Sequence, residues 1–250
     1  MKKPMIKVQH RKIAANEADN SRRQFLKIGS IAVVGSGLLL SCSSDDDFTG
    51  PVDPDPNAVF DLGSGDVGIL NYAYALEQLE AAFYTQVLDG SYWASASAQE
   101  RLILEDLYKH EVIHRDFFKA AITGAVNGDT SKVLPELEFD FSSVDFGNRS
   151  SVLGTARVLE DTGVAAYNGA GSLLETPDYL VIAGKIVSVE ARHAAAIRSI
   201  FFDDPKAFAG DDVVNANGLD VAQSPSDILT AVGQTGFVKT EFTANQLPTG

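Results

Sequence analysis

The sequence predicts an all-α protein, a four-helix bundle with one long crossover between helices two and three. Three observations lead there. Apolar residues recur at helical spacing in four segments of 23 to 29 residues. The segments form two pairs with short internal loops, joined by a long irregular stretch over residues 128–148. The two pairs also repeat each other in chemistry, as equivalent halves of one bundle would.

The first helix is predicted over Asp66–Leu88, where the apolar period begins after a Gly/Ser-rich turn. The second starts at Ser97-Ala98-Gln99-Glu100, which has the form of a capping box, and runs to about Ala125. Gly124, Asn127 and Gly128 end it. The third is predicted over Ser150–Leu174. The fourth starts at Pro177, a residue suited to a first helical turn, and runs to Phe202. The bundle therefore spans residues 65–203. Residues 204–250, rich in Asp, Gly, Asn and Pro, are expected to be a loop-rich tail with a short helix near Ser226–Val232.

Charge separates the N-terminus from this domain. The 250-residue chain has a net charge of −14, but residues 1–42 hold eight basic and two acidic residues. Arg22-Arg23 precede Phe25-Leu26-Lys27 and the apolar run Ile28–Leu40, followed by Ser41-Cys42. The run is short for a bilayer span and has the flanks of a signal peptide. The paired arginines resemble a twin-arginine export signal, and Leu39-Leu40-Ser41-Cys42 resembles a lipobox whose Cys is acylated. The resemblance implies passage through the twin-arginine export machinery and a periplasmic or outer-surface lipoprotein, held in the membrane by Cys42. Residues 43–64, acidic and then Pro/Asp/Gly-rich, read as a flexible tether. Such an acidic chain is a poor partner for nucleic acid. Its single Cys rules out an intrachain disulfide and a Cys-rich zinc site.

The chemistry lies on the helices. Helix one carries Glu77 and, seven residues on, Tyr84; helix three carries Glu160 and Tyr167 at the same spacing. Helix two carries Glu111-x-x-His114 and helix four Glu190-x-x-His193. Residues three or seven apart share a helix face. On helices two, three and four the Glu interrupts the apolar stripe that should face the core: Leu104, Leu107, Glu111, His114, Phe118 on helix two, for example. Carboxylates converging in a core must bind protons, pair with cations or hold metal. The 11 Glu and three His after Cys42 would give only about 0.16 Glu-x-x-His pairs by chance.

One Glu from each of two helices plus Glu-x-x-His from each of the others is the arrangement of di-metal carboxylate bundles. On the segments LEQLEAAFY, HEVIHRDFF, LEDTGVAAYNGA and VEARHAAAIRS, the chain resembles the ferritin-like superfamily. It is similar in kind to bacterioferritin and rubrerythrin, and most like the exported, desiccation-associated ferritin-like family. The resemblance implies two divalent ions, iron preferred and manganese possible, held by Glu77, Glu111, His114, Glu160, Glu190 and His193. It also implies oxidation of Fe(II) by O2 or peroxide, as a ferroxidase or peroxidase-type activity. A manganese catalase-like activity and a membrane-tethered stress or binding module, with a structural metal or none, are the competing readings.

Either Glu111 with Glu160, or Glu77 with Glu190, is expected to bridge the metals. Glu77 is preferred over Glu80 because helix three has Gly163 at the place equivalent to Glu80; Glu80 is placed behind the ligands or at the surface. Tyr84 and Tyr167 are either bulky core residues or donors to ligand carboxylates. His110, about 100° around the helix from Glu111, is expected to face solvent, as are Arg115, Arg192 and Arg198. Trp93 and Tyr92 are packing residues of the first hairpin loop. A homodimer is compatible with the sequence. Without a second redox centre, turnover would need an outside electron donor.

Overall fold

The structure is a computed structural model, and it describes residues 59–248. The signal residues Arg22, Arg23 and Cys42, and residues 43–58 of the tether, lie outside the described residues. The elements in chain order are β1 (Phe60–Asp61), α1 (Gly65–Asp89), α2 (Ser91–Ser95), α3 (Ala98–Ala125), α4 (Arg149–Gly171), α5 (Pro177–Phe201), α6 (Pro225–Thr235) and β2 (Phe242–Thr243). The four long helices α1, α3, α4 and α5 make the bundle. The most extensive packing is within the hairpins α1/α3 and α4/α5. Among the described residues, no helix is long and apolar enough to cross a membrane.

Local chemistry sets the helix ends. Ser97 and Glu100 form both halves of the capping box of α3, at 3.2 and 2.8 Å. The other oxygen of Glu100 accepts from Arg149 Nε at 2.7 Å, which ties the start of α4 to that cap. Asn127 and Gly128 adopt positive φ and turn the chain out of α3, where Gly128 N–H reaches back to the Thr123 carbonyl at 2.8 Å. Thr176 gives no side-chain cap to α5. Instead Asp66, in the first turn of α1, accepts from the backbone N–H groups of Glu175 and Thr176 at 2.7 and 3.0 Å.

α1 is buried almost all round, from Gly68 to Ala81 without a break. One face meets the other bundle helices; another is covered by the crossover. Two buried amides hold that cover in place. Asn71 donates to the carbonyls of Leu62 and Lys132 and accepts from Leu134 N–H. Two turns on, Gln78 donates to Pro135 O and accepts from Leu137 N–H. These amides satisfy extended backbone that would otherwise be buried unpaired.

Two expected boundaries move. Leu62, at the end of the expected tether, is fully buried, and β1 pairs in parallel with β2, Phe60 opposite Phe242. Residues 59–64 therefore belong to the folded domain. The tail also packs: Ile228, Val232, Phe237 and Leu247 join the core, and the helix within it runs over eleven residues. Phe141 of the crossover meets Phe83 of α1 and Phe237 of the tail, with ring centroids 5.9 and 5.1 Å apart.

The tail crosses α4 at Gly169. A β-carbon there would fall 1.7 Å from the Gln223 carbonyl oxygen, so only glycine lets the two backbones meet. Gly169→Ala should therefore lift residues 221–225 off α4. The expected loss is about 1–3 kcal/mol, read from the urea midpoint, with proteolysis starting in the tail. An unchanged midpoint would show that the tail adds nothing to the fold.

Candidate metal centre

The bundle brings all six expected ligand residues together. Glu77 (α1), Glu111 (α3), Glu160 (α4) and Glu190 (α5) are fully buried, and His114 and His193 nearly so. Helical period explains the convergence, since each Glu occupies the core stripe of its own helix and the stripes face a common axis. The ligand atoms form two overlapping groups that can each hold a metal ion. One is Glu77, Glu111, His114 and Glu190; the other is Glu111, Glu160, Glu190 and His193.

The distances separate shared from unshared carboxylates. His114 Nδ1 lies 2.8 Å from Glu190 Oε1 and 3.6 Å from Glu111 Oε2. His193 Nδ1 lies 2.7 Å from Glu111 Oε1 and 3.4 Å from Glu190 Oε2. Each Glu of the two Glu-x-x-His motifs thus offers one oxygen to each side. Glu77 reaches only His114, at 3.5 Å, and Glu160 only His193, at 3.5 Å. The shared pair is Glu111 with Glu190. The expected pairs, Glu111 with Glu160 and Glu77 with Glu190, each include one Glu that approaches a single histidine. Sequence could not separate them, because sharing depends on which helices face each other across the bundle axis.

The remaining oxygens of the unshared carboxylates are held by the tyrosines, crosswise. Tyr84 of α1 donates to Glu160 Oε1 of α4 at 2.5 Å, and Tyr167 of α4 donates to Glu77 Oε1 of α1. Each Tyr thus serves the Glu of the other half. Glu80 is buried but stands outside both ligand groups. Its Oε1 lies 3.1 Å from where a β-carbon on residue 163 would sit, so Gly163 makes room for it.

Of two residues expected at the surface, His110 keeps its exposure and gains a contact, while Arg198 departs from expectation. His110 is exposed, yet its Nδ1 is 2.9 Å from His193 Nε2. Its position around α3 turns it towards α5 as well as solvent. Arg198 is 2% exposed, paired with Asp161 at 2.7 Å and Asp212 at 2.5 Å, and donates to the Ala207 carbonyl. The tail, which the helical pattern does not describe, folds over it. Arg192 is exposed as expected, and Arg115 is partly exposed. Tyr92 is buried in α2, with Trp93 half-buried beside it.

The chemistry of the donor set fits a cation. Glu77 Oε2, both oxygens of Glu111 and Glu190, Glu160 Oε2, and Nδ1 of each ligand His are buried without a hydrogen-bond partner. The close N···O approaches lie outside hydrogen-bond geometry, so the atoms converge on a common point and not on each other. Unpaired buried polar atoms in such number are costly unless an ion completes them.

Residues 65–203 match the family model described as "Ferritin-like domain". The chain belongs to the ferritin-like domain family. No curated protein matches it. The buried Glu/His clusters of this ferritin-like domain can hold metal ions. Beside them, walled by Tyr167, Phe118, Ala166 and Ala73, is an apolar cavity of about 50 Å³.

Without metal, the cluster takes up protons. Burial lifts Glu160 to about 7, against the opposing pull of His193. Burial raises Glu77 and Glu80 well above the carboxylate range, and neighbouring carboxylates add to it. Burial opposes the charged form of His114, but Glu111, Glu190 and Glu77 outweigh it and lift the imidazole to about 12. Burial opposes the ionised form of Glu111 too, and the two imidazoles pull it down to about 2.

Raised folded values mean stability that is present at low pH and lost as pH rises. For the carboxyls the loss starts near their ordinary 4.5 and, for Glu160, runs through about 7. For His114 it starts near 6.5. The metal-free domain should therefore melt at progressively lower temperature from about pH 5 to pH 8, with the metal-loaded domain much less sensitive. A metal-free melting temperature that rises over this range would contradict the picture. Tyr167→Phe should leave the fold intact and weaken metal binding about 10–100-fold, measured by chelator competition.

Proposed function

We propose that the chain is an exported, lipid-anchored ferritin-like protein. Its cluster holds two divalent ions, iron in preference to manganese, and it oxidises Fe(II) with O2 or peroxide. The observation that carries the reading is the paired ligand group, in which Glu111 and Glu190 each divide their oxygens between two histidines. Four carboxylates and two imidazoles make a carboxylate-rich O/N donor set that suits iron and manganese over copper or structural zinc. Four negative charges balance two divalent cations. When bound, such a pair supplies two electrons to O2 or peroxide.

The chain's own residues set the conditions. Glu77 and Glu160 cap the two ends of the cluster, and Tyr167 and Tyr84 fix their free oxygens. Burial excludes water from the carboxylates. The electron donor that returns the centre to its reduced form is external, since the sole Cys is claimed by the lipid. Arg22-Arg23 and Cys42 support twin-arginine export followed by acylation. Such export carries folded proteins, so the metal can be loaded in the cytoplasm, where supply is controlled. The likeness to the exported, desiccation-associated proteins supports a role in oxidative or desiccation stress.

Anaerobic Fe(II) loading of the purified chain should give about two metals per chain. Stopped-flow mixing with O2 or peroxide should then give an absorbance rise. Glu111→Ala and Glu190→Ala should each abolish loading, because each removes an oxygen from both groups. Fewer than about half a metal per chain would sink the di-metal reading. Retained stoichiometry in the variants would show the ligands to be wrong, and full loading without turnover would assign the metal a structural role.

A further inference from the structure

Besides Glu80 and Gly163, the two halves of the cluster differ behind the ligand histidines. His193 points Nδ1 into the cluster and Nε2 at His110 Nδ1, 2.9 Å away. The ring planes lie 8° apart with centroids at 5.1 Å. The nitrogens are far closer than the centroids, so the bond runs edge to edge in the common plane of the rings. His114 has no such support, as its only short contacts among the described residues are to Glu77, Glu111 and Glu190. The spacing that relates the motifs places Val189 where a second His110 would stand. Val189 can neither donate nor accept through its side chain.

A histidine binds metal through one nitrogen only when the proton sits on the other. A partner on the outer nitrogen fixes that tautomer and the ring's direction. We propose that His110 is a positioning residue that holds His193 as the Nε2–H tautomer, with its Nδ1 lone pair directed into the cluster. The two metal positions are therefore unequal. The Glu111/Glu160/Glu190/His193 group is preorganised and fills first; the Glu77/Glu111/His114/Glu190 group fills second. In this arrangement His193 donates and His110 accepts, so His110 is neutral, with its own proton on the Nε2 side. The inference rests on the di-metal reading above.

The test is anaerobic titration of the full chain with Co(II), followed by visible absorbance and chelator competition. Wild type should show two resolved steps. His110→Ala should weaken the tighter step about 10–100-fold and leave the weaker one in place. His110→Gln, whose side-chain oxygen can accept from His193 Nε2–H, should recover most of the loss. In the Zn(II)-loaded chain, the 15N shifts of His193 should report the Nε2–H tautomer, and His110→Ala should broaden or shift that signal. Two equal steps in wild type, equal weakening of both steps by His110→Ala, or no rescue by His110→Gln would overturn the assignment while leaving the metal pair standing. No uptake by wild type would overturn the metal reading and this inference with it.

Discussion

Carboxylates in a dry core need positive charge, and that need shapes this bundle. Five glutamates, Glu77, Glu80, Glu111, Glu160 and Glu190, are buried on or beside the bundle axis. Among the described residues two imidazoles are the titratable nitrogens packed with them, and the buried Arg198 is committed to Asp161 and Asp212. The effective penalty for burying one such ion is several kcal/mol, while a domain's whole stability is about 5–15 kcal/mol. Protons lower the cost in the metal-free state, which is why burial raises Glu77, Glu80 and Glu160 together. A bound cation lowers it further, and binding then adds directly to folding free energy. Function and stability thus draw on the same six side chains.

The centre is built from two near-copies of a helical hairpin, each giving one Glu and one Glu-x-x-His. Copying alone does not make a site. The Tyr of each half bonds the Glu of the other, so neither hairpin completes its own carboxylate. The copies then diverge around a common centre. Gly163 faces Glu80 across the core, and Val189 takes the place equivalent to His110. The crossover and tail, each present once, cover what the bundle leaves open. Asn71 and Gln78 fasten the first, and the close approach at Gly169 admits the second.

The features that follow a short-range rule were legible in the sequence. The four long helices came from apolar period, the start of α3 from its capping box, and the six clustered residues from charge on core stripes and from the repeat that matches Glu77 to Glu160. Features set by distant chain segments were not. Arg198 reads as a surface residue until Asp212 and Ala207 of the tail close over it. Leu62 sits in a segment with tether composition, and its burial goes with the pairing of that segment to Phe242 and Thr243. His110 has an exposed angle on its own helix, and only α5 supplies the neighbour that gives it a role. Bridging belongs to the same class, because it is a relation between helices.

Anomalous diffraction from crystals grown anaerobically with Fe(II), with data on both sides of the iron edge, would locate the metal in this cluster. Two iron peaks per chain are expected inside the bundle. One should be bounded by Glu77 and His114, the other by Glu160 and His193, with Glu111 and Glu190 reaching both. A bundle without iron between these residues, or iron only at surface carboxylates, would rule out a metal pair held by the four buried glutamates.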